Sequence, residues 1–200
     1  MARHYHRWWL SGFVALLSFM VGSPLYAEDF LPKVGTWETG IRTGYNWGIH
    51  KHIGMIPVNL RVGYTLFNGK WWLLPAGAFE IGAEPFASVI TSVRPKRHGS
   101  MELGAGLPVV TYYFATGTRF APYVDAGLGM LYTDLRGYTL GGHFSFMEEA
   151  GLGGVYFLDK NLVFSASWRY RHISNAYLYE HNAGLDSWMV LAGFSYFLPQ

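Results

Sequence analysis

The sequence predicts an all-β fold, an eight-stranded antiparallel up-and-down transmembrane β-barrel. Several segments alternate apolar and polar residues, as strands with one apolar face do. Short turns and longer loops alternate between these segments. Hydrophobic residues make up 50% of the chain and aromatic residues 18%, yet no stretch after residue 27 is long enough for a membrane-spanning helix. Together these observations favour strands that each carry one apolar face.

Five segments alternate clearly enough to predict strands. They cover residues 58–66, 103–109, 124–132, 162–174 and 187–196. In the second of them, the residues expected to share the apolar face are Leu103, Ala105, Leu107 and Val109. Three less regular segments, at 35–45, 73–86 and 144–158, are assigned as strands mainly because the spacing requires them. The total of eight returns both chain ends to the same side of a barrel.

The connections support an up-and-down order of strands. Three are short and have the composition of hairpin turns: Asn68-Gly69-Lys70, Thr116-Gly117-Thr118 and Asp159-Lys160-Asn161. Four are longer and lie near residues 46–53, 84–99, 133–143 and 175–185. This alternation predicts a barrel with turns at one end and functional loops at the other. Both termini are then expected on the turn side, in the periplasm.

Alternation alone does not say which face of the barrel is apolar, and a soluble lipocalin-like barrel would put the apolar set inside. Three features favour the membrane version. Aromatic residues gather near strand ends, as at Tyr132, Trp168, Tyr170, Trp188 and Tyr196. The opposite face is rich in glycine and charge, as at Arg61, Asp125, Gly127 and Arg169. Finally, the chain has no cysteine, whereas lipocalins often carry a disulfide.

The first 27 residues have the pattern of a cleaved signal peptide. Arg3 and Arg7 precede a mostly apolar run from residue 8 to residue 22, and Ala27 offers a small residue before the cut. A transmembrane anchor is the alternative, but the apolar run is short for it. Cleavage leaves a barrel domain at residues 28–200 with 13 basic residues (15 less the two removed) against 13 acidic ones. Such a balance argues against nucleic-acid binding.

One stretch places the parts of a serine hydrolase together. His172 and Ser174 lie two residues apart on the apolar parity of their strand, about 6.6 Å apart along it, and Asp186 follows at the start of the next strand on the same parity. We therefore predict His172 as general base toward Ser174, with Asp186 fixing the tautomer. A site on the lipid-facing wall implies an ester substrate that arrives laterally in the bilayer. The alternative is a set of ordinary interfacial polar residues.

The same stretch closely resembles the signature of the outer-membrane lipid A 3-O-deacylase (PagL) family. The resemblance is carried by Arg171-His172-Ile173-Ser174-Asn175-Ala176, by Asn182, Gly184 and Asp186, and upstream by Phe120-Ala121-Pro122-Tyr123 leading to Gly127 and Gly129. It implies an eight-stranded barrel that removes the ester-linked 3-hydroxyacyl chain at position 3 of lipid A. It also implies lipopolysaccharide in the outer leaflet as the partner, with no cofactor and no metal.

Site residues carried over from the family match this sequence at most positions. The resemblance implies Ser174 as nucleophile, His172 as base and Asp186 as acid, where the best-known members have glutamate. An asparagine of the oxyanion hole corresponds to Asn182, and the asparagine after the serine to Asn175. The family glycine that offers a backbone N–H to the oxyanion is replaced by Tyr177, which still has an N–H.

Other polar groups give weaker indications. Arg94, Lys96, Arg97 and His98 are either contacts for lipid A phosphates or a solvated basic loop. His50 and His52 flank Lys51, and two histidines without a carboxylate make a poor metal site. Glu148 and Glu149 are either an interior pair or charges at the rim.

Two other functions remain open from sequence. One is a non-catalytic structural or adhesion barrel, and the other is a phospholipase on the same scaffold. The sequence does not specify acyl-length preference or oligomeric state, although a homodimer is compatible with it.

Overall fold

The protein is a closed antiparallel barrel of eight strands, which confirms the predicted fold class. The computed structural model describes residues 30–93, 100–136, 138 and 140–198, so the predicted signal peptide and the basic loop at 94–98 lie outside the described residues. The strands are β1 Trp37–Gly48, β2 Ile53–Gly69, β3 Gly77–Val93, β4 Met101–Phe114, β5 Phe120–Thr133, β6 Phe144–Phe157, β7 Leu162–Ser174 and β8 Leu185–Leu198. Each strand pairs with the next, and β8 closes the barrel against β1. No helix among these residues has the length and apolar character needed to cross a membrane.

Two boundaries predicted from sequence are wrong. Strand β3 runs from residue 77 to residue 93, so the predicted strand at 73–86 is misplaced and much of the predicted loop at 84–99 is strand. The prediction failed because Glu84 looks like a charged loop residue in the sequence, whereas the structure buries it in the lumen. The β1–β2 connection, at 49–52, is shorter than the β2–β3 connection, at 70–76, so short and long connections do not strictly alternate.

A β-bulge in β4 changes which residues face outward. Gly106 pairs with Gly129 and Val109 pairs with Gly127, so Leu107 and Pro108 together oppose a single residue of β5. The extra residue reverses the alternation beyond it. Val109 is therefore 4% exposed and points inward, and its predicted place on the apolar face is wrong.

The outer wall is apolar around the whole circumference. Every strand contributes at least one large apolar side chain that is at least half exposed: Ile41, Leu60, Val89, Leu107, Leu128, Leu152, Trp168 and Phe194. A closed barrel satisfies its backbone hydrogen bonds internally, which is the condition for contact with lipid. The lipocalin-like alternative, with its apolar set inside, is wrong for this chain.

The middle of the lumen is filled by buried ion pairs. Glu84 accepts hydrogen bonds from Arg42, from Arg61 at 2.7 Å and from Arg169 at 2.6 Å. Further carboxylates paired with these arginines are Glu38, Glu80, Asp125 and Glu149. The polar interior predicted from Arg61, Asp125 and Arg169 is therefore confirmed.

Apolar clusters lie above and below this polar layer. We call the end with the β3–β4, β5–β6 and β7–β8 loops the loop end, and the opposite end the turn end. The loop-end cluster comprises Ile53, Met55, Phe86, Ile90, Leu131, Leu135, Leu140, Met147, Ile173 and Leu185. The turn-end cluster comprises Leu31, Ala78, Tyr113, Ala121, Tyr123, Val155, Phe157, Val163 and Phe197. Ile173 and Leu185 anchor the inner face of the wall that carries the candidate site.

Candidate active site

His172 and Asp186 are direct neighbours across β7 and β8. The register pairs them, and His172 Nδ1 lies 2.7 Å from Asp186 Oδ1. Their side chains are 36% and 40% exposed on the outer wall, as the parity of both strands predicts. The contact occupies Nδ1 and leaves Nε2 as the nitrogen that can act on a neighbouring hydroxyl.

Ser174 ends β7 on the same outer face, two residues beyond His172. None of the described residues, His172 included, hydrogen-bonds its hydroxyl, so the structure brings His172 to Asp186 but shows no hydrogen bond from His172 to Ser174. Gly184 lies on the loop side of the imidazole, with a φ of +63°. A Cβ at Gly184 would lie 3.3 Å from His172 Cε1, so this glycine leaves the space that the ring occupies.

Tyr170 also contacts the acid. Its hydroxyl donates a hydrogen bond of 2.5 Å to Asp186 Oδ1, the oxygen that His172 also contacts. The ring packs edge-on against Trp188, with a centroid distance of 5.5 Å. Sequence reasoning assigned Tyr170 only to an aromatic girdle. The signal that could have found it is its parity, since it lies two residues from His172 on the same face.

The β7–β8 loop is organised around Asn175, which is fully buried. Its Oδ1 accepts a hydrogen bond from the backbone N–H of Tyr177 at 2.9 Å, and its Nδ2 donates to the His181 carbonyl at 2.8 Å. Its own backbone N–H donates to Asn182 Oδ1 at 2.9 Å. Asn175 therefore holds the loop together through these three hydrogen bonds.

This arrangement changes which groups could stabilise an oxyanion. The Tyr177 N–H is already bound to Asn175, so it is not a free donor. The N–H of Ala176 and the Nδ2 of Asn182 have no hydrogen-bond partner among the residues that the structure describes. Ala176 and Tyr177 both have positive φ, 48° and 61°, in a turn directly after the serine. The Ala176 N–H could not be predicted from the sequence, because the pattern of side chains does not show which backbone N–H groups are free.

The β1–β2 loop lies beside Asp186, and no pattern in the sequence predicts this contact. The Ile49 N–H donates to the Asp186 carbonyl at 2.9 Å, and Lys51 Nζ donates to the Gly184 carbonyl at 2.8 Å. Burial lowers the pKa of Lys51, against the opposing effect of the Asp186 charge. His50 also interacts electrostatically with Asp186. Among the described residues, no cluster of His, Cys, Asp and Glu could hold a metal.

A depression of about 500 Å³ opens in the outer wall on the turn side of His172. Its lining includes Pro108, Val110, Ala126, Gly127, Leu128, Glu148, Ala150 and Tyr170. Ala126 pairs with Ala150, and these small side chains form the floor beside the β4 bulge. Glu148 pairs with His172 and faces outward, whereas Glu149 contacts Arg169 in the lumen at 3.4 Å. The two glutamates therefore lie on opposite faces.

Comparison with known proteins gives one family. Residues 56–195, which include every candidate residue of β7, β8 and their loop, match the family model described as lipid A 3-O-deacylase (PagL). A search of curated proteins found no match.

Two solved structures are similar in fold. The outer membrane enzyme PagL has 22% sequence identity and a TM-score of 0.59, with 78% of this chain and 97% of that chain covered. Neisserial surface protein A (NspA) has 16% identity and a TM-score of 0.55, with 82% of this chain and 96% of that chain covered. At these identities, the similarities establish the barrel fold and nothing finer.

Proposed function

The chain belongs to the lipid A 3-O-deacylase (PagL) family, and on that premise we propose that it is an outer-membrane esterase that hydrolyses the 3-O-linked acyl chain of lipid A. The observation that carries the proposal is the 2.7 Å contact between His172 Nδ1 and Asp186 Oδ1, beside Ser174 on the lipid-facing wall. Polar groups on such a wall are costly, about 2–4 kcal/mol for a cation at the bilayer centre and less near the rim. Their alignment at this position favours catalysis over an incidental cluster.

The chemistry follows the serine esterase scheme. Ser174 Oγ attacks the ester carbonyl carbon while His172 Nε2 takes the hydroxyl proton. The tetrahedral intermediate collapses, the bond to the sugar oxygen breaks, and His172 returns the proton to that oxygen. Water then attacks the acyl-serine with His172 again as base, which releases the fatty acid and restores Ser174. Asp186 holds the imidazole in the required tautomer and stabilises its charged form.

We assign the oxyanion donors to the Ala176 N–H and the Asn182 Nδ2. Both lie in the loop after Ser174, and both are free of partners among the described residues. The three hydrogen bonds of buried Asn175 hold the loop that carries both donors. Preorganised donors of this kind stabilise the charge that develops on the carbonyl oxygen.

The depression beside the site fits an acyl chain. It spans β4 to β7 on the outer wall, and its loop-side edge lies in the row of His172, because Glu148 pairs with His172. Its apolar lining would hold the chain while the ester lies at Ser174. Glu148, at its loop-side edge, can accept a hydrogen bond from the hydroxyl of a 3-hydroxyacyl chain. A phospholipid acyl chain lacks that hydroxyl, so this contact favours lipid A.

The cellular placement completes the proposal. Residues 1–27 direct export and are removed, and the barrel then inserts with both termini in the periplasm. This orientation puts the loop end, and with it the site, in the outer leaflet, where lipopolysaccharide lies. A homodimer stays a prediction.

The test is lipid A mass spectrometry after expression of Ser174→Ala and His172→Ala. We expect deacylation to fall below detection, because loss of either residue of such a pair costs about 10⁶-fold. Ser92→Ala and His143→Ala, outside the site, should deacylate normally. Heat-modifiable gel migration checks that every variant is a folded barrel.

Three outcomes would contradict the proposal. Normal deacylation by either site variant would remove the assigned mechanism. Unchanged lipid A with the wild-type protein would favour a structural or adhesion barrel. Preferential release of fatty acid from phospholipid, supplied together with lipopolysaccharide, would favour a phospholipase.

A further inference from the structure

We propose that Lys51 and His50, on the β1–β2 loop, form a subsite for the phosphate group on the sugar that carries the scissile ester. The inference rests on the proposed function, because it assigns a further part of the same substrate to the same site. It gives the β1–β2 loop a role in recognition.

The loop is tied to the site by two hydrogen bonds. The Ile49 N–H donates to the carbonyl of Asp186, and Lys51 Nζ donates to the carbonyl of Gly184 at 2.8 Å. Gly184 in turn lies against the imidazole of His172, as the 3.3 Å approach of a Cβ at that position indicates. The ammonium is therefore bound to the carbonyl of the glycine that lies against the His172 ring, at the loop end of the wall.

Lys51 keeps donors for a ligand. An ammonium has three N–H groups, and the Gly184 carbonyl takes one of them. His50 precedes Lys51 in the same short loop, and both interact electrostatically with Asp186. The Asp186 carboxylate is already engaged by Tyr170 and His172, so it is not a dedicated counter-ion for the ammonium. Burial also lowers the pKa of Lys51, and a bound phosphate would supply the charge that favours its protonated form.

Lipid A has a phosphate group close to the ester that the enzyme would cleave, so this phosphate could contact the Lys51 ammonium. Lipid A carries phosphate monoesters on its glucosamine disaccharide, one of them at position 1 of the sugar that bears the 3-O-acyl chain. Positions 1 and 3 of a pyranose ring are separated by a single ring carbon. With the ester carbonyl at Ser174, the phosphate of the same ring would reach the neighbouring loop. An ammonium–phosphate contact is a charge-assisted hydrogen bond, stronger than a neutral one.

The experiment compares three substrates in mixed detergent micelles: bis-phosphorylated lipid A, lipid A without the 1-phosphate, and lipid A without the 4′-phosphate. We expect Lys51→Gln to lower kcat/KM about tenfold on substrates that keep the 1-phosphate, mainly through KM. On the substrate without it, the variant and the wild type should differ by less than about twofold. His50→Gln should show the same pattern more weakly. Lys51→Arg, which keeps the positive charge, should retain most of the wild-type kcat/KM.

The control is Lys160→Gln, a lysine in the β6–β7 turn at the opposite end, which should match the wild type on all three substrates. An equal loss on phosphorylated and dephosphorylated lipid A would overturn the subsite. A loss that follows the 4′-phosphate would overturn its assignment to this sugar. Because the wild type should still deacylate the substrate without the 1-phosphate, failure of the subsite is distinguishable from failure of the esterase itself.

Discussion

The Tyr170 hydroxyl donates a 2.5 Å hydrogen bond to Asp186 Oδ1, the same oxygen that His172 contacts. A second donor to the same oxygen stabilises the charged form of the carboxylate. The contact also fixes the carboxylate plane toward the imidazole. An aspartate, with one methylene fewer than glutamate, is thereby held at hydrogen-bond distance from His172.

Tyr170→Phe tests this role. The variant loses one hydrogen bond to a charged group and keeps the ring that packs on Trp188. We expect kcat to fall about five- to tenfold with little change in KM. In an Asp186→Ala background the same change should have no further effect, because Tyr170 acts through that carboxylate. Tyr156→Phe, an outward tyrosine at the turn end, is the matched control. Additive losses in the double variant would contradict the positioning role.

Gly184→Ala probes the space beside the imidazole. An alanine there must adopt a φ of about +63°, which costs roughly 1–2 kcal/mol, and its Cβ would press on the ring of His172. Gly117→Ala, at φ +74° in the β4–β5 turn, carries a similar backbone cost far from the site. Urea unfolding should give similar losses of stability for both variants, whereas only Gly184→Ala should lose kcat. Equal activity in the two would contradict the packing argument.

Filling the depression should change which acyl chains are cleaved. Ala126→Phe and Ala150→Phe each place a ring on its floor, where the two alanines are cross-strand partners. We expect the preference to shift toward shorter acyl chains, measured by competition between lipid A species that differ in chain length. Ala87→Phe, on the outer face of β3, adds the same ring elsewhere on the wall and should leave the preference unchanged. An unchanged preference in both floor variants would remove the depression from the proposed function.

Local periodicity made part of this site predictable. His172 and Ser174 are two apart in one strand, and the outward direction of both follows from alternation alone. The pairing of His172 with Asp186 was not predictable, because it depends on register across a loop whose length does not fix the pairing.

Contacts between distant segments were also missed. The β1–β2 loop reaches Asp186 only because β8 closes against β1, across more than half of the chain. The bulge at Leu107 and Pro108 reverses the alternation of β4. A prediction that assumes regular alternation along this strand therefore places Val109 on the outer face, whereas it points inward. Sequence patterns report each strand separately, whereas closure and bulges are properties of the sheet.

The lumen network around Glu84 should determine the stability of the barrel independently of catalysis. Glu84 is buried and bonded to three arginines, so Glu84→Gln removes a charge that all three share. Arg61 and Arg169 keep other carboxylates, whereas Arg42 is left with no carboxylate partner among the described residues. Breaking a buried pair in this way costs about 3–5 kcal/mol, much more than the loss of a surface charge. We expect a clear drop in the urea midpoint of the folded barrel, followed by tryptophan fluorescence, and Glu180→Gln in the exposed β7–β8 loop should show none. Below the midpoint, deacylation should stay near the wild-type rate, because the outer site makes no contact with Glu84. An unchanged midpoint would mean that lumen water or rearranged arginines replace the carboxylate.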